Sequence, residues 1–351
     1  MRSADTPDPE GGADRPEADP AERRSRLTPV VGWVRRWGIS FASLVSGLLA
    51  LFVFRRELPH VRWIVGYLLI LWLLFAIVTH ARQALEARGR RLVVTAADYT
   101  IQSLYHGVLL FLIPAYWGST TLTSVNAVFF AVLVGLALLA TFDPWYRKLV
   151  HPRPWLGLVF FVVSIFAALN VALPLVGIRP DVGLLLAAWT STVALAPVVR
   201  RALELAWPIT LAALALIGVA TAGIAYAGRV AVPPAPLALA SATLARDVRD
   251  NRPVMPLPST VTSADLAEGV VAYTAVYAPA GLRQPVAHVW RHGGRVVNVV
   301  MLSPVRGGRR EGFRTYSRKS AFPGKPAGRW TVDVVTPSGQ LIGRLRFSVT
   351  P

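Results

Sequence analysis

An apolar run at residues 206–227 divides the chain into two parts of different character. The run holds no charged residue, and its length is what a helix rising about 1.5 Å per residue needs to cross roughly 30 Å of hydrocarbon. The sequence before it is dominated by similar runs, and the sequence after it alternates as β-strands do. We therefore expect this run to be the last of several transmembrane helices and to lead into a β-domain.

Charged residues are scarce, and they are mostly positive. They make up 16% of the chain, against roughly 25% in soluble domains, and the formal net charge is +18. Such an excess of cations suits a nucleic-acid partner in a soluble protein, but in a membrane protein it also sets topology. The chain has no cysteine, which excludes disulfides, thiolate nucleophiles and cysteine-ligated metals.

Apolar runs without Asp, Glu, Lys or Arg predict an α-helical membrane bundle of about seven transmembrane helices. A bilayer offers no water to the backbone, so each run is expected to be helical. The first two runs are short for a span, and they either cross fully or form a shallow hairpin. The predicted spans are residues 38–54, 63–79, 99–117, 125–142, 155–176, 182–199 and 206–227.

The basic residues between the runs predict the orientation. The segments that share a side with the N-terminus hold 14 of them, and the alternate loops hold 4. Because basic residues stay in the cytoplasm, we expect a cytoplasmic N-terminus and, after seven crossings, an extracytoplasmic C-terminal part. This predicts a protein of the bacterial inner (plasma) membrane with a periplasmic C-terminal domain. The 14 residues are Arg23, Arg24, Arg26, Arg35, Arg36, Arg82, Arg88, Arg90, Arg91, Arg147, Lys148, Arg153, Arg200 and Arg201.

Two stretches outside the spans have the composition of flexible chain. Residues 1–28 are rich in proline, glycine and acidic residues, which predicts a disordered cytoplasmic tail before a transmembrane domain at 29–227. Residues 228–262 hold six prolines and are expected to be a linker. Within it, residues 237–248 have the pattern of one short amphipathic helix.

From residue 263 onward the apolar pattern has a period of two, which is typical of strands. The runs at 269–278, 285–292, 295–303, 330–336 and 341–350 are predicted strands. Gly293-Gly294 is expected to close one hairpin, and Pro337-Ser338-Gly339 another. About seven short strands in residues 263–351 indicate a small all-β immunoglobulin-like sandwich, with Trp330 as a core residue.

The C-terminal part holds a set of distinctive short motifs, which are His288-Val289-Trp290, Gly307-Gly308-Arg309, Glu311-Gly312-Phe313-Arg314, Phe322-Pro323, Gly328-Arg329-Trp330, Gln340-Leu341-Ile342-Gly343 and Phe347. With these motifs it resembles a family of uncharacterised bacterial multi-span membrane proteins that end in a periplasmic β-domain of unknown function. Residues 316–319 depart from the aromatic-Thr-His-Lys pattern of that family, which weakens a role for a histidine there. The resemblance implies the architecture and no catalytic residue.

Polar residues inside the predicted spans suggest one candidate site. Gln102, His106, Asn126 and Asn170 would line it in a transporter or a membrane-embedded enzyme, because ionisable groups in a membrane are often functional. Hydrogen bonding between helices explains the same residues without a site. The predicted spans hold no acidic partner for His106, which favours the second explanation.

Two histidines on one predicted strand are a second candidate. His288 and His292 are an even number of residues apart and share a face of the strand, as metal ligands on a strand would. A third ligand at suitable spacing is missing, so we predict no metal site. We also predict no cofactor, since the sequence has no nucleotide-binding or catalytic motif.

A basic segment at residues 306–319 is the third candidate. Its aromatic and cationic mixture would suit nucleic acid in the cytoplasm, but the predicted orientation excludes that partner. Anionic lipid headgroups, an envelope polymer or an envelope protein fit better, and Gly307-Gly308 were expected to offer backbone N–H groups to a phosphate. The alternative is a solvated loop. The predicted binding residues are Arg306, Arg309, Arg310, Arg314, Arg318 and Lys319.

These observations favour a binding or scaffolding protein over an enzyme. We expect an integral membrane protein that presents a basic periplasmic β-domain at the cell envelope. A transporter or membrane-embedded enzyme remains the alternative. The sequence does not indicate the ligand or the oligomeric state.

Overall fold

A computed structural model describes residues 91–322 and 324–351, together with the single positions Ile70 and Ile77. The predicted tail at 1–28 and the predicted spans at 38–54 and 63–79 lie outside these residues, apart from the two single positions. The described chain is helical up to residue 227 and all-β after residue 237. The helices are α1 (Arg91–Gly118), α2 (Ala127–Thr141), α3 (Asp143–Leu149), α4 (Pro154–Leu175), α5 (Pro180–Val193), α6 (Ala196–Leu203) and α7 (Trp207–Ala227).

Three of the described helical segments are long and apolar enough to cross a membrane. They are Pro154–Leu175, Pro180–Leu203 (α5 and α6 together) and Trp207–Ala227, and the pair α2 and α3, bent by 104°, would make a fourth. Of the about seven predicted spans, five fall within residues 91–322, and three or four of these meet the requirement. In α1 the side chains of Gln102 and His106 make the helix too polar, and α2 ends after 15 residues at the bend.

Proline sets the start of most of these helices. α3, α4, α5, α6 and α7 each have a proline in their first two positions. The first N–H groups of a helix have no partner within it, so proline costs nothing there and its fixed φ favours the helix. The short connections between helices follow from these starts.

The helices pack around a core of aromatic and small side chains. Tyr116 of α1 is fully buried and donates a hydrogen bond from its hydroxyl to the carbonyl of Ala167 in α4 (3.0 Å). Nearer the other end of α1, the rings of Tyr105 and Phe160 lie 5.6 Å apart. α1 is thereby held against α4 along much of its length.

The C-terminal part is a β-sandwich of two sheets. One sheet has four strands in the order β2-β1-β4-β9, and the other has five in the order β3-β11-β10-β6-β7. A third, two-stranded sheet pairs β5 with β8. The strands are β1 (Ala238–Arg249), β2 (Arg252–Leu257), β3 (Thr260–Thr262), β4 (Val270–Tyr277), β5 (Arg283–Gln284), β6 (Ala287–His292), β7 (Arg295–Met301), β8 (Val305–Arg306), β9 (Phe313–Lys319), β10 (Gly328–Val335) and β11 (Leu341–Thr350).

The prediction of a sandwich and of five of its strands is confirmed, but its start was placed too late. Most of the stretch at 228–262 that was expected to be a linker forms β1, β2 and β3. The predicted amphipathic helix at 237–248 is wrong, because nearly all of that stretch lies in β1, which pairs with β4 over residues 238–245. Pro253 and Pro256 are compatible with β2, since it is an edge strand with one side unpaired.

The sandwich core lies between the two large sheets. Trp290 and Trp330 are buried, and Phe347 stacks on Trp330 with ring centroids 6.0 Å apart. Both predicted turns are present, with positive φ at Gly293, Gly294 and Gly339, where glycine carries no steric penalty. The prediction of Trp330 as a core residue is confirmed.

The sandwich is attached to the helices through buried hydrogen bonds. Asn126, just before α2, donates to the carbonyl of Leu341 at the start of β11 (3.2 Å). The side chain of Gln340 donates to the carbonyl of Val232 (3.1 Å), and Ser119 donates to the carbonyl of Leu237. Because Ser119, Asn126 and Gln340 are nearly or fully buried, this contact orients the sandwich on the bundle.

Candidate functional site

The basic segment is half strand and half loop. Residues 313–319 form β9, which was missed because its inward-facing side chains are polar. Thr315, Ser317 and Lys319 point inward and are buried, while Tyr316 and Arg318 point outward. The six predicted cations therefore do not form one continuous surface.

Arg314, Arg318 and Lys319 make contacts within the sandwich. Arg318 is paired with Asp247 (2.7 Å) and Arg314 with Glu311 (3.7 Å). Lys319 is 7% exposed and lies over the ring of Phe322, and desolvation lowers the pKa of its ammonium group. These three residues are occupied by contacts within the domain.

The two glycines hold the loop to the sandwich. The N–H of Gly307 donates to the carbonyl of Leu282 (3.0 Å), and that of Gly308 donates to the carbonyl of Ala278 (3.1 Å). The expectation that both groups face a phosphate is therefore wrong. A Cβ at position 307 would lie 1.6 Å from the carbonyl oxygen of Pro279, so only glycine allows this approach of the two backbones.

The remaining cations lie at the end of the sandwich that rests on the helices. Arg306, Arg309 and Arg310 are exposed. The loop that carries them is hydrogen-bonded to residues 278 and 282. Gly281, which lies between these two residues, is close to Gly177 of the helical part, since a Cβ at Gly177 would lie 3.7 Å from the carbonyl oxygen of Gly281. Since Gly177 connects α4 to α5, the exposed arginines are close to the junction with the bundle.

Arg283 belongs to the same exposed group, although it was not predicted. It lies directly opposite Arg306 in the register of the antiparallel β5–β8 ribbon. The 22 residues between the two positions conceal this proximity in the sequence, and only the strand register brings them together. The one signal in the sequence for an exposed cation here was the position of Arg283 between Gly281 and a segment that is buried in the structure. We call Arg283, Arg306, Arg309 and Arg310 the junction arginines.

Gln102 and His106 lie together at the end of α2 farthest from the sandwich. Gln102 donates to the carbonyl of Ala140 (3.0 Å) and to Asp143 (2.7 Å). Nδ1 of His106 lies 2.8 Å from the hydroxyl of Thr141. Both residues fasten α1 to the bend between α2 and α3, and Asp143 is an acidic neighbour that the sequence pattern did not reveal because it lies just beyond a predicted span.

Asn126 and Asn170 are elsewhere. Asn126 bridges the loop at residues 119–121 and the sandwich. Asn170 donates to the hydroxyl of Tyr116 (3.1 Å), ten residues along α1 from His106, which is roughly 15 Å in a helix. The structure therefore brings together two of the four predicted intramembrane residues and places the other two apart. Each of the two asparagines has a structural hydrogen-bond partner.

His288 joins the two sheets inside the sandwich. Its Nε2 lies 2.9 Å from the hydroxyl of Thr274 in β4, and its Nδ1 lies 2.8 Å from the hydroxyl of Ser317 in β9. The indole N–H of Trp290 also donates to the hydroxyl of Ser317 (3.0 Å). Burial lowers the pKa of His288 to about 4.

His292 has a different environment from His288. It stacks on Trp330 with ring centroids 4.5 Å apart, and its Nε2 lies 3.0 Å from the carbonyl of Ala327. Within the described residues no group of three or more His, Cys, Asp or Glu side chains is placed to hold a metal ion. The two histidines serve the packing of the sandwich.

Two family models match the chain. Residues 21–272 match a family of unknown function (DUF5924), and residues 283–349 match a protein of unknown function (DUF2914). The first match includes β1 and β2 of the four-stranded sheet and ends at the third residue of β4, and the second match includes β9 of the same sheet. One sandwich is thus shared between both matched segments.

Other comparisons add no relative. No curated protein and no solved structure matches the chain. The two family matches agree with the resemblance to an uncharacterised family that ends in a domain of unknown function. Because the first match spans more than two thirds of the sequence, the chain belongs to the family of unknown function DUF5924.

Proposed function

We propose that this protein is an integral membrane protein whose helices hold the sandwich at the bilayer surface, where the junction arginines bind anionic lipid headgroups. The sandwich is the immunoglobulin-like domain expected from the sequence, extended by β1, β2 and β3. The protein acts as a binding or scaffolding component of the bacterial inner membrane, with the sandwich on the periplasmic side.

The observation that carries this proposal is the position of the junction arginines. They are exposed, and they lie at the end of the sandwich that contacts the bundle. If the apolar helices cross a membrane, that end of the sandwich is level with the headgroups. Each basic residue near anionic headgroups contributes about 1 kcal/mol to binding, and the effect declines within a Debye length.

The distribution of charge at the two ends of α2 supports the proposed orientation. Asn126 at the start of α2 is bonded to the sandwich, whereas the bend at its other end, roughly 22 Å away, leads into Arg147, Lys148 and Arg153. Basic residues stay on the cytoplasmic side of a membrane. The sandwich is then extracytoplasmic, and nucleic acid is not its partner.

A lipid-retention experiment tests the proposal. The full-length protein is purified in detergent, stripped of lipid and offered equal amounts of phosphatidylglycerol and phosphatidylcholine. The lipids that remain bound are extracted and quantified by mass spectrometry. We expect severalfold enrichment of phosphatidylglycerol at low salt, and a decline of this enrichment as salt is raised, because salt screens exposed charges.

The control for this experiment is a variant that lacks the charges of the loop, R306Q/R309Q/R310Q. It should retain both lipids nearly equally. Equal retention of the two lipids by the unmodified protein at low salt would contradict the proposal.

A further inference from the structure

Two of the junction arginines are held side by side. Arg283 and Arg306 are register partners in the β5–β8 ribbon, and Gly307 N donates to the carbonyl of Leu282. This places the arginines in a non-hydrogen-bonded pair, the type in which the Cα atoms are about 4.5 Å apart and the side chains are closest. Gln284 and Val305 are buried at 2% and 0% exposure, so both arginines lie on the opposite, exposed face of the ribbon.

Two like charges directly opposite each other destabilise a ribbon unless an opposite charge compensates them. A second arginine pair in the sandwich shows such compensation. Arg249 and Arg252 are partners at the turn between β1 and β2, and Asp247 lies 3.7 Å from Arg249. In the described part of the chain no carboxylate forms an ion pair with Arg283 or Arg306.

The backbone around the exposed pair is fixed. Gly307 and Gly308 each donate a hydrogen bond to the segment that leads into β5, and the close approach at Gly307 leaves no room for a side chain. The two arginine backbones therefore do not need to be ordered when an anion binds, which reduces the entropic cost of binding.

We infer that Arg283 and Arg306 together bind one phosphate group. A guanidinium presents a planar fork of N–H donors that matches two phosphate oxygens, and two forks on one face of a ribbon can grip a single phosphate from two sides. The inference rests on the proposed function, because a phospholipid headgroup supplies a phosphate at the level of the junction. Inorganic phosphate has the same chemistry and is the other source.

The test compares two matched double variants of the full-length protein. R283Q/R306Q removes the exposed pair, and R249Q/R252Q removes the compensated pair at the far end of the sandwich, with the same loss of charge. Native mass spectrometry of each protein, titrated with phosphatidylglycerol or phosphatidylcholine, measures the apparent affinity for the first lipid bound. Thermal unfolding of each variant confirms that the sandwich is intact.

We expect R283Q/R306Q to bind phosphatidylglycerol about 25-fold more weakly than the unmodified protein, since each charge near a headgroup contributes about fivefold. R249Q/R252Q should stay within about twofold of the unmodified protein, because screening isolates it from the headgroups. A further titration adds inorganic phosphate, against chloride at matched ionic strength. If phosphate weakens lipid binding and chloride does not, free phosphate is a ligand of the arginine pair. If neither anion weakens lipid binding, the lipid headgroup is its ligand.

Two results would overturn the inference while leaving the proposed function intact. One is an unchanged preference for phosphatidylglycerol in R283Q/R306Q, and the other is an equal loss in both double variants. Failure of the unmodified protein to prefer phosphatidylglycerol is a different result, which contradicts the proposed function itself.

Discussion

The imidazole of His288 is a polar group placed where an apolar side chain would ordinarily fill the core of a sandwich. It is fully buried and connects β6 to the hydroxyls of Thr274 and Ser317 on the facing sheet. Buried polar groups stabilise a fold only while their hydrogen bonds are made, so this network links the relative position of the two sheets to the protonation state of one residue.

We expect the stability of the sandwich to fall in mild acid because of this histidine. The unfolded chain has a histidine pKa near 6.5, and the folded domain holds it at about 4. Between pH 6.5 and pH 4 the histidine is protonated in the unfolded state and neutral in the folded state. The free energy of unfolding therefore decreases as the pH falls, by about 3 kcal/mol from pH 6.5 to pH 4. Above pH 6.5 the residue adds no pH dependence.

Pulse proteolysis of the full-length protein in denaturant, read from a C-terminal tag at several pH values, measures this effect. His288→Gln is the control, because glutamine does not titrate and the other acidic and basic groups are unchanged. The free energy of unfolding of the unmodified protein should exceed that of the variant by a smaller amount as the pH falls. Parallel curves from pH 7 to pH 4 would show that His288 is not the responsible group.

The strands that the sequence revealed are those rich in valine and in other β-branched or aromatic residues, with turn residues between them. β4, β6, β7, β10 and β11 were predicted on this signal, as was the turn at Gly293-Gly294. β9 was not, because its inward positions carry Thr315, Ser317 and Lys319 instead of apolar side chains. β2 was hidden by its prolines, which an edge strand accepts. The proximity of Arg283 and Arg306 depends on strand register, which no local pattern encodes.

The loop between β8 and β9 provides a prediction about one of these elements. Gly307→Ala places a Cβ against the carbonyl of Pro279, so the loop must move away and lose its bonds to residues 278 and 282. We expect a loss of about 2 kcal/mol in stability, as for other overpacked positions, together with weaker binding of phosphatidylglycerol.

Gly324→Ala is the matched control for this substitution, because a Cβ there meets nothing within 4 Å and its φ is not in the left-handed region. Denaturant unfolding measures the stability of each variant, and native mass spectrometry measures its binding of phosphatidylglycerol. A G307A protein as stable as G324A, with unchanged lipid binding, would show that the loop tolerates the side chain.

At the level of the whole molecule, the helices and the sandwich form one connected structure. Hydrogen bonds link them at the loop before α2 and at the segment after α7, and they approach each other closely at the connection from α4 to α5. These three places lie at the same end of the bundle, and the basic bend at α3 lies at the other end of α2. This distribution of charge agrees with the proposed extracytoplasmic position of the sandwich.

Topology reporters check this asymmetry. A reporter enzyme that is active only outside the cytoplasm should be active when fused after Pro351, and a reporter that is active only in the cytoplasm should be silent there. Insertion after Val150, next to the basic bend, should reverse both results. If the C-terminal fusion instead behaves like the one at Val150, the sandwich is cytoplasmic and the lipid proposal fails in its present form.

The position of the last strand has a consequence for biogenesis. β11 lies between β3 and β10, and its first residue accepts the hydrogen bond from Asn126. Until the ten residues of β11 have left the ribosome, β3 and one edge of β10 have no partner in the five-stranded sheet, and the hydrogen bond from Asn126 cannot form. A nascent or truncated chain without β11 therefore presents open strand edges to chaperones and proteases.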